Sequence, residues 1–228
     1  MAAVGLLYVG AVLFVNGLTL FGWVKGRSLV PMNLFVGVLQ VITPLYLIFT
    51  AGGDQATIIG ASGLFLFGFT YLYVAMNFTW EYDGTGLGWF CLYVAAAAAV
   101  YSWWNFSGYA DLGTTTGQIG NLLGVLWASW AVLWLLFWVV LGLGRESWTR
   151  FTGAWCACQG IYTGFVPAIV LINIPDALTS TLVWIVGAVS VATFVVLLPL
   201  LRPWSAEVEA PPADTGYAST TGGAAGQS

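Results

Sequence analysis

Histidine is absent from this chain of 228 residues, and charge is scarce: Lys, Arg, Asp and Glu together make up 6% of it. A water-soluble domain carries about 25% charged residues, so these polar groups cannot cover a surface facing water. Only five residues are basic, and the formal net charge is -4. No basic patch is available for nucleic acid, which is excluded as a partner. Three cysteines, Cys91, Cys156 and Cys158, all fall in apolar stretches. They form no extracellular disulfide framework and are expected to be free thiols. The Cys-x-Cys pair at 156 and 158 has no histidine to complete a ligand set, so neither metal nor cofactor is expected. Without ionisable groups inside the apolar runs, general acid–base chemistry has no agents there, and the chain is not read as an enzyme. The only lysine, Lys25, lies in a loop, which excludes a retinal Schiff base.

What is abundant is apolar and aromatic: 60% of residues are hydrophobic and 16% are Phe, Trp or Tyr. Crossing a hydrocarbon core takes about 20 helical residues. Seven segments qualify, at 3–23, 31–51, 57–78, 87–106, 119–143, 150–172 and 178–201, and none carries a charge in its interior. The opening "MAAVGLLYVGAVLFVNG" lacks a basic leader and stays apolar past Asn16, so it reads as a span and not as a cleaved signal. With seven spans, Lys25, Arg27, Arg145, Arg150 and Arg202 all fall on one side of the membrane. The positive-inside rule makes that side cytoplasmic, the N-terminus external and the C-terminus internal. Residues 203–228, rich in Pro, Gly, Ala, Ser and Thr, cannot bury enough apolar surface to fold, and read as a disordered, acidic cytoplasmic tail.

The chain thus predicts an all-α membrane protein, a bundle of seven transmembrane helices in contact with lipid. Spans 1–2, 3–4 and 5–6 suggest a six-helix core of three two-helix hairpins around one axis, plus one extra C-terminal helix. The alanine run at 94–100 reads as a helix-packing surface.

In span 5, "GVLWASWAVLWLLFW" places Trp127, Trp130, Trp134 and Trp138 within an arc of about 80° on an ideal helix. Interfacial tryptophans belong at span ends, as at Trp23, Trp80, Trp89 and Trp148; Trp127, Trp130 and Trp134 are too central. Two readings follow. The stripe is core packing with its N–H groups bonded to neighbours, or it lines a narrow path whose indoles donate to a solute. Phe67 and Tyr71 share a face of span 3 at i,i+4. Gln159, Thr163 and Pro167 share a line on span 6. Pro167 frees the carbonyl of Thr163, and Pro44 frees that of Gln40. Such groups act as polar glue between helices, or as partners for a small planar amide. With no charge in the spans, any permeant solute is uncharged.

The strings "LLYVGAVLFVNG" (6–17), "MNLFVGVLQV" (32–41), "LFGFTYLYVAMNFTW" (66–80) and "LWASWAVLW" (126–134), in this order on matching spans, resemble the AmiS/UreI family of urea and short-chain amide channels. The resemblance covers about residues 3–172. It implies a six-helix channel core over 1–172 with an aromatic-lined pore, a homo-hexamer, and residence in the bacterial plasma membrane. It also implies a functional link to a cytoplasmic amidase or urease. Phe67, Tyr71, Trp127, Trp130 and Trp134 match constriction positions, and Asn16 matches a polar position near the end of span 1. Gln159 stands where the family's gastric urea channel has a glutamate, and is assigned to orienting solute. That channel's long histidine-bearing loop between spans 2 and 3 is here only "AGGDQ". Histidine is the side chain that titrates near neutrality, so no histidine-based acid gate is expected. A seventh helix at 173–202 and the tail lie outside the resemblance. The competing expectation is a non-transporting structural or assembly membrane protein with a packed tryptophan core.

Overall fold

The structure, a computed structural model, describes residues 2–109, 117–174 and 178–201. The expected tail at 203–228 lies outside the described residues. Every regular element among the described residues is helical. Seven helical stretches are long and apolar enough to cross a membrane: Ala3–Leu20, Gly26–Thr50, Gln55–Trp80, Thr85–Ser107, Gly117–Gly142, Glu146–Asn173 and Ser180–Leu201. They coincide with the seven expected spans.

Span 1 is α1 (Ala2–Leu20), and span 2 is a 3₁₀ turn, Gly26–Leu29, leading into α2 (Val30–Thr50). Span 3 is broken into α3 (Gln55–Ser62) and α4 (Leu64–Trp80). The break falls at Gly63, where a Cβ would lie 2.8 Å from the Trp127 ring. Span 4 is α5 (Thr85–Ser107); span 5 is α6 (Gly117–Phe137), continued by a π-helical turn, Trp138–Gly142. Span 6 runs from α7 (Thr149–Gln159) through a π-helical segment, Gly160–Phe165, to α8 (Val166–Asn173). The widened turn directly precedes Pro167, whose ring and missing N–H are incompatible with a regular helix over the Thr163 carbonyl. Span 7 is α9 (Ser180–Leu197) with a 3₁₀ end, Leu198–Leu201.

The spans contact one another in a closed order: α1 on α2, α2 on α4, α4 on α5, α5 on α6, α6 on α7 and α7 on α1. The tightest pairings differ from the hairpin expectation. They are span 2 with span 3, span 4 with span 5, and span 1 with span 6, whereas the contacts of spans 1–2, 3–4 and 5–6 are sparser. Glycine decides this. A Cβ on Gly10 would lie 2.6 Å from the Gly160 carbonyl oxygen, and one on Gly17 would lie 2.6 Å from that of Gly153. Spans 1 and 6 therefore touch backbone to backbone. Gly88 of α5 meets Gly142 in the same way, and Gly68 of α4 abuts the Gln40 carbonyl, the one left without a donor by Pro44. Without a hydrophobic driving force between helices in lipid, such close approach is the main source of helix association. α9 packs outside this ring, against α6 and α7.

Several polar residues inside the bundle are paired across helices. Gln40 Nε2 donates to the Gly5 carbonyl at 3.2 Å. Asn16 and Asn33 form a reciprocal amide pair, Asn16 Nδ2 to Asn33 Oδ1 at 3.0 Å and Asn33 Nδ2 to Asn16 Oδ1 at 2.7 Å. All three cysteines are free thiols; Cys156 donates to the Leu13 carbonyl at 3.2 Å.

Candidate functional site: an apolar vestibule closed by an aromatic nest

A cavity of about 500 Å³ lies between α1, α4, α5 and α6. Its wall includes Leu13 and Asn16 of α1, Phe67, Thr70, Tyr71 and Asn77 of α4, Leu87 and Cys91 of α5, and Trp130, Trp134 and Phe137 of α6. On α4 it extends from Phe67 to Glu81, about 20 Å of helix rise, which is more than half of a hydrocarbon core. The cavity is therefore a vestibule reaching from mid-membrane to one face.

The outer rim carries Arg27, Glu81 and Tyr82. Arg27 and Glu81 form an ion pair, with side chains 71% and 75% exposed, so the vestibule ends at solvent. The pair ties the turn before α2 to the end of α4, where Glu81 takes a left-handed conformation with φ 58°. An exposed pair of this kind contributes about 0–1 kcal/mol; its geometric role at the rim matters more.

The inner end is shut by Phe67. Its ring centroid lies 4.8 Å from Trp130, 4.7 Å from Trp134, 5.6 Å from Trp127 and 6.2 Å from Tyr71. All five rings are at most 5% exposed. Offset and edge-to-face contacts add roughly 0.5–1.5 kcal/mol per pair beyond burial. Four ring contacts converge on one phenylalanine, the one to Trp130 edge to face and the other three tilted, so the nest is a cohesive plug. Beyond it, Trp127 stacks on Tyr101 at 4.7 Å, and the Tyr101 hydroxyl shares a 2.6 Å hydrogen bond with Ser62.

Of the residues singled out from the sequence, Asn16, Phe67, Tyr71, Trp130 and Trp134 border one cavity. Two do not. Trp127 lies behind the nest, against Gly63 and Tyr101, because one turn of helix carries it past the cavity's end. Gln159 is fully buried between spans 5 and 6, where its Nε2 donates to the Ser129 carbonyl at 2.9 Å; its amide faces protein and not the vestibule. The indole of Trp130 is also committed, donating to Thr163 Oγ1 at 3.0 Å. Of the two readings of the Trp130 N–H, the bond to a neighbouring helix is the one observed. Trp138 turns outward onto Trp89, 5.9 Å between centroids. Sequence reasoning did not assign Asn33, the buried partner of Asn16, or Asn77, on the wall near the rim. Their signal was present: each is a lone asparagine in an apolar run, within a string already singled out.

The vestibule wall is thus apolar and uncharged inside its rim, interrupted by amides and hydroxyls. Such a surface suits a small neutral solute and supplies no charge to offset the desolvation of an ion.

The sequence pattern of the AmiS/UreI family transporters matches residues 1–174. A Mycolicibacterium smegmatis protein, named as an amidate substrates transporter, is 41% identical over 97% of this chain and all of its own length. The AmiS2 transporter protein of Rhodococcus erythropolis is 52% identical over 69% of this chain and 71% of its own. The acid-activated urea channel of Helicobacter pylori is 33% identical over 72% of this chain and 93% of its own. The cryo-electron microscopy structure of the H. pylori urea channel in its closed state superposes with a TM-score of 0.66 at 29% identity, covering 75% of this chain and 97% of that one.

Proposed function

The chain belongs to the AmiS/UreI transporter family, and from that premise we propose that it is a passive channel for urea and short aliphatic amides. The observation that carries this reading is the vestibule, uncharged inside its rim, that runs from the Arg27–Glu81 pair to Phe67, Tyr71, Trp130 and Trp134. Aromatic faces form a slot for a planar molecule, and Asn16 offers an amide edge to its donors and acceptors. Passage requires the Phe67 ring to swing out of its nest. The names of the relatives supply the solute class: amidate substrates for one, urea for another. A packed tryptophan core without transport explains Trp127 and Gln159, but not a solvent-reaching vestibule of this volume.

The charge pattern supports the orientation. Arg27 and Glu81 form one ion pair, which places the first and third connections on the same face. With Lys25, Arg145 and Arg150, that face is cytoplasmic, so the vestibule opens inward in a bacterial plasma membrane. The proposed channel is a homo-hexamer, as the family resemblance implies, and the imported amide feeds a cytoplasmic amidase or urease. Residues 1–172 form the channel core, and the expected seventh helix, described as Ser180–Leu201, is added to it. Transport is driven by the solute gradient and is not histidine-gated, the chain having no histidine.

Stopped-flow light scattering on proteoliposomes tests this. Urea and acetamide should equilibrate faster than in protein-free vesicles, and the larger triol glycerol should not. Amide flux no faster than in protein-free vesicles overturns the channel reading.

A further inference from the structure

Trp130 is held from behind by a chain of hydrogen bonds that ends in the seventh span. Its indole N–H donates to Thr163 Oγ1 at 3.0 Å, and the Thr163 hydroxyl donates to the Gln159 carbonyl at 2.6 Å. Gln159 Nε2 donates at 2.9 Å to the carbonyl of Ser129, the peptide that carries Trp130. The Ser129 hydroxyl donates to Ser190 Oγ of α9 at 3.3 Å, and the Ser190 hydroxyl donates to the Val186 carbonyl at 2.9 Å. Every side chain in this set is at most 7% exposed.

The direction of these bonds is fixed. A hydroxyl has one proton; that of Thr163 is committed to Gln159, so only its lone pairs remain for the indole. That of Ser190 is committed to Val186, so Ser190 can only accept from Ser129. The χ2 torsion of tryptophan is broad on its own. In a low-dielectric interior, the acceptor found by the N–H therefore decides which way the ring faces. The same ring meets Phe67 at 85°, 4.8 Å between centroids. Ser190 lies beyond residues 1–174, the part of the chain that matches the family.

We propose that the seventh helix braces the pore wall: Ser190, acting through Ser129, and the Gln159–Thr163 pair are positioning residues that set the angle of Trp130 against Phe67 and so the width of amide that passes. The selectivity part rests on the aromatic channel proposed above; the brace itself does not. Ordinary helix glue would hold the fold together without bearing on which solute passes.

The experiment uses the full chain as wild type, Thr163→Val, Thr163→Ser and Ser190→Ala. Urea and butyramide permeabilities are measured in proteoliposomes. Indole ¹⁵N–¹H spectra are recorded in detergent, with the Trp130 resonance identified by its loss in Trp130→Phe. Thr163→Val should shift the Trp130 resonance and change the butyramide-to-urea permeability ratio by about fivefold, the scale of one neutral hydrogen bond. Thr163→Ser, which keeps the hydroxyl, should restore both. Ser190→Ala should move both in the same direction by less, since its link to Ser129 is the longest in the chain. A Trp130 resonance unmoved by Ser190→Ala overturns the brace. A resonance that moves while the ratio stays at the wild-type value overturns its role in selectivity. A wild type that carries no amide overturns the channel reading and the selectivity with it, and leaves the brace to be decided by the resonance alone.

Discussion

Phe67 meets Trp130 edge to face, 4.8 Å between ring centroids and 85° between planes, at the inner end of a vestibule that reaches solvent. Two helices far apart in sequence thus supply the plug and its seat. Because Phe67 also touches Trp127 and Trp134, removing it leaves an apolar void in place of a barrier. Phe67→Ala should raise urea permeability in proteoliposomes and weaken discrimination against butyramide. Truncating a buried phenylalanine costs about 3–5 kcal/mol, and the thermal midpoint should fall by roughly 6–20 °C. A variant that is less stable yet no more permeable would show the nest to be packing alone.

The Asn16–Asn33 pair makes a different prediction. Asn33 is fully buried, and besides Asn16 its Nδ2 reaches only the Leu29 carbonyl, at 3.1 Å. Asn16→Ala leaves a buried amide without its partner, at a cost of about 1–3 kcal/mol. Asn33→Ala leaves the half-buried Asn16 free to bond water in the vestibule and should cost less. The double replacement should be less destabilising than the sum of the two, because the pair is lost only once. Denaturation midpoints of the four proteins in detergent measure the coupling; strict additivity would rule out a working pair.

The spans were legible because charge is confined to their connections, and each helix begins and ends within a few residues of its expected limits. Their pairing was not legible from connectivity. The tight contacts are made by glycines such as Gly10, Gly160 and Gly88, whose partners lie elsewhere in the chain. The tryptophan stripe is real, but helical periodicity gives a face and not what that face meets. Trp130 and Trp134 reach the cavity; Trp127, a turn earlier, packs under the Gly63 break. For Gln159 and Thr163, the shared line was visible. Their use as supports for Trp130 was not legible, because Pro167 announces a disturbed helix but not which side chain of span 5 the Thr163 hydroxyl meets.

Glycine contacts also predict which substitutions the bundle rejects. A Cβ on Gly10 would press on backbone atoms of span 6, the Gly160 oxygen at 2.6 Å and the Phe165 nitrogen at 2.7 Å, neither of which can rotate away. Gly10→Ala should drive spans 1 and 6 apart, at the roughly 1–3 kcal/mol typical of overpacking. Gly187 on α9 is the control, because there a Cβ would meet nothing closer than Val125 Cγ1 at 3.7 Å. Gly187→Ala should match or slightly exceed wild-type stability, as expected when a helix gains alanine for glycine. Thermal midpoints and size-exclusion profiles in detergent separate the two; equal behaviour would remove glycine contact as the reason for the observed pairing.

The pH dependence follows from the connecting turns. Asp54 caps α3, accepting from the Thr57 N–H at 2.9 Å, and Asp83 accepts from the Thr85 N–H at 2.9 Å and from the Thr85 hydroxyl. These hydrogen bonds favour the ionised form and hold both carboxyls below the usual carboxylate range. A depressed folded pKa contributes stability that is complete above the unfolded value, near 3.9, and is lost as pH falls through the folded value. Neither group changes charge between about pH 7.5 and 5.5, and the chain has no histidine to titrate there. Amide permeability and thermal midpoint should both be flat across that interval, with stability declining only in more acid solution. Asp54→Asn keeps a capping oxygen but cannot titrate, so its decline below pH 4 should be shallower than that of wild type. A steep rise in flux on going from pH 7.5 to 5.5 would mean that a group other than histidine gates passage.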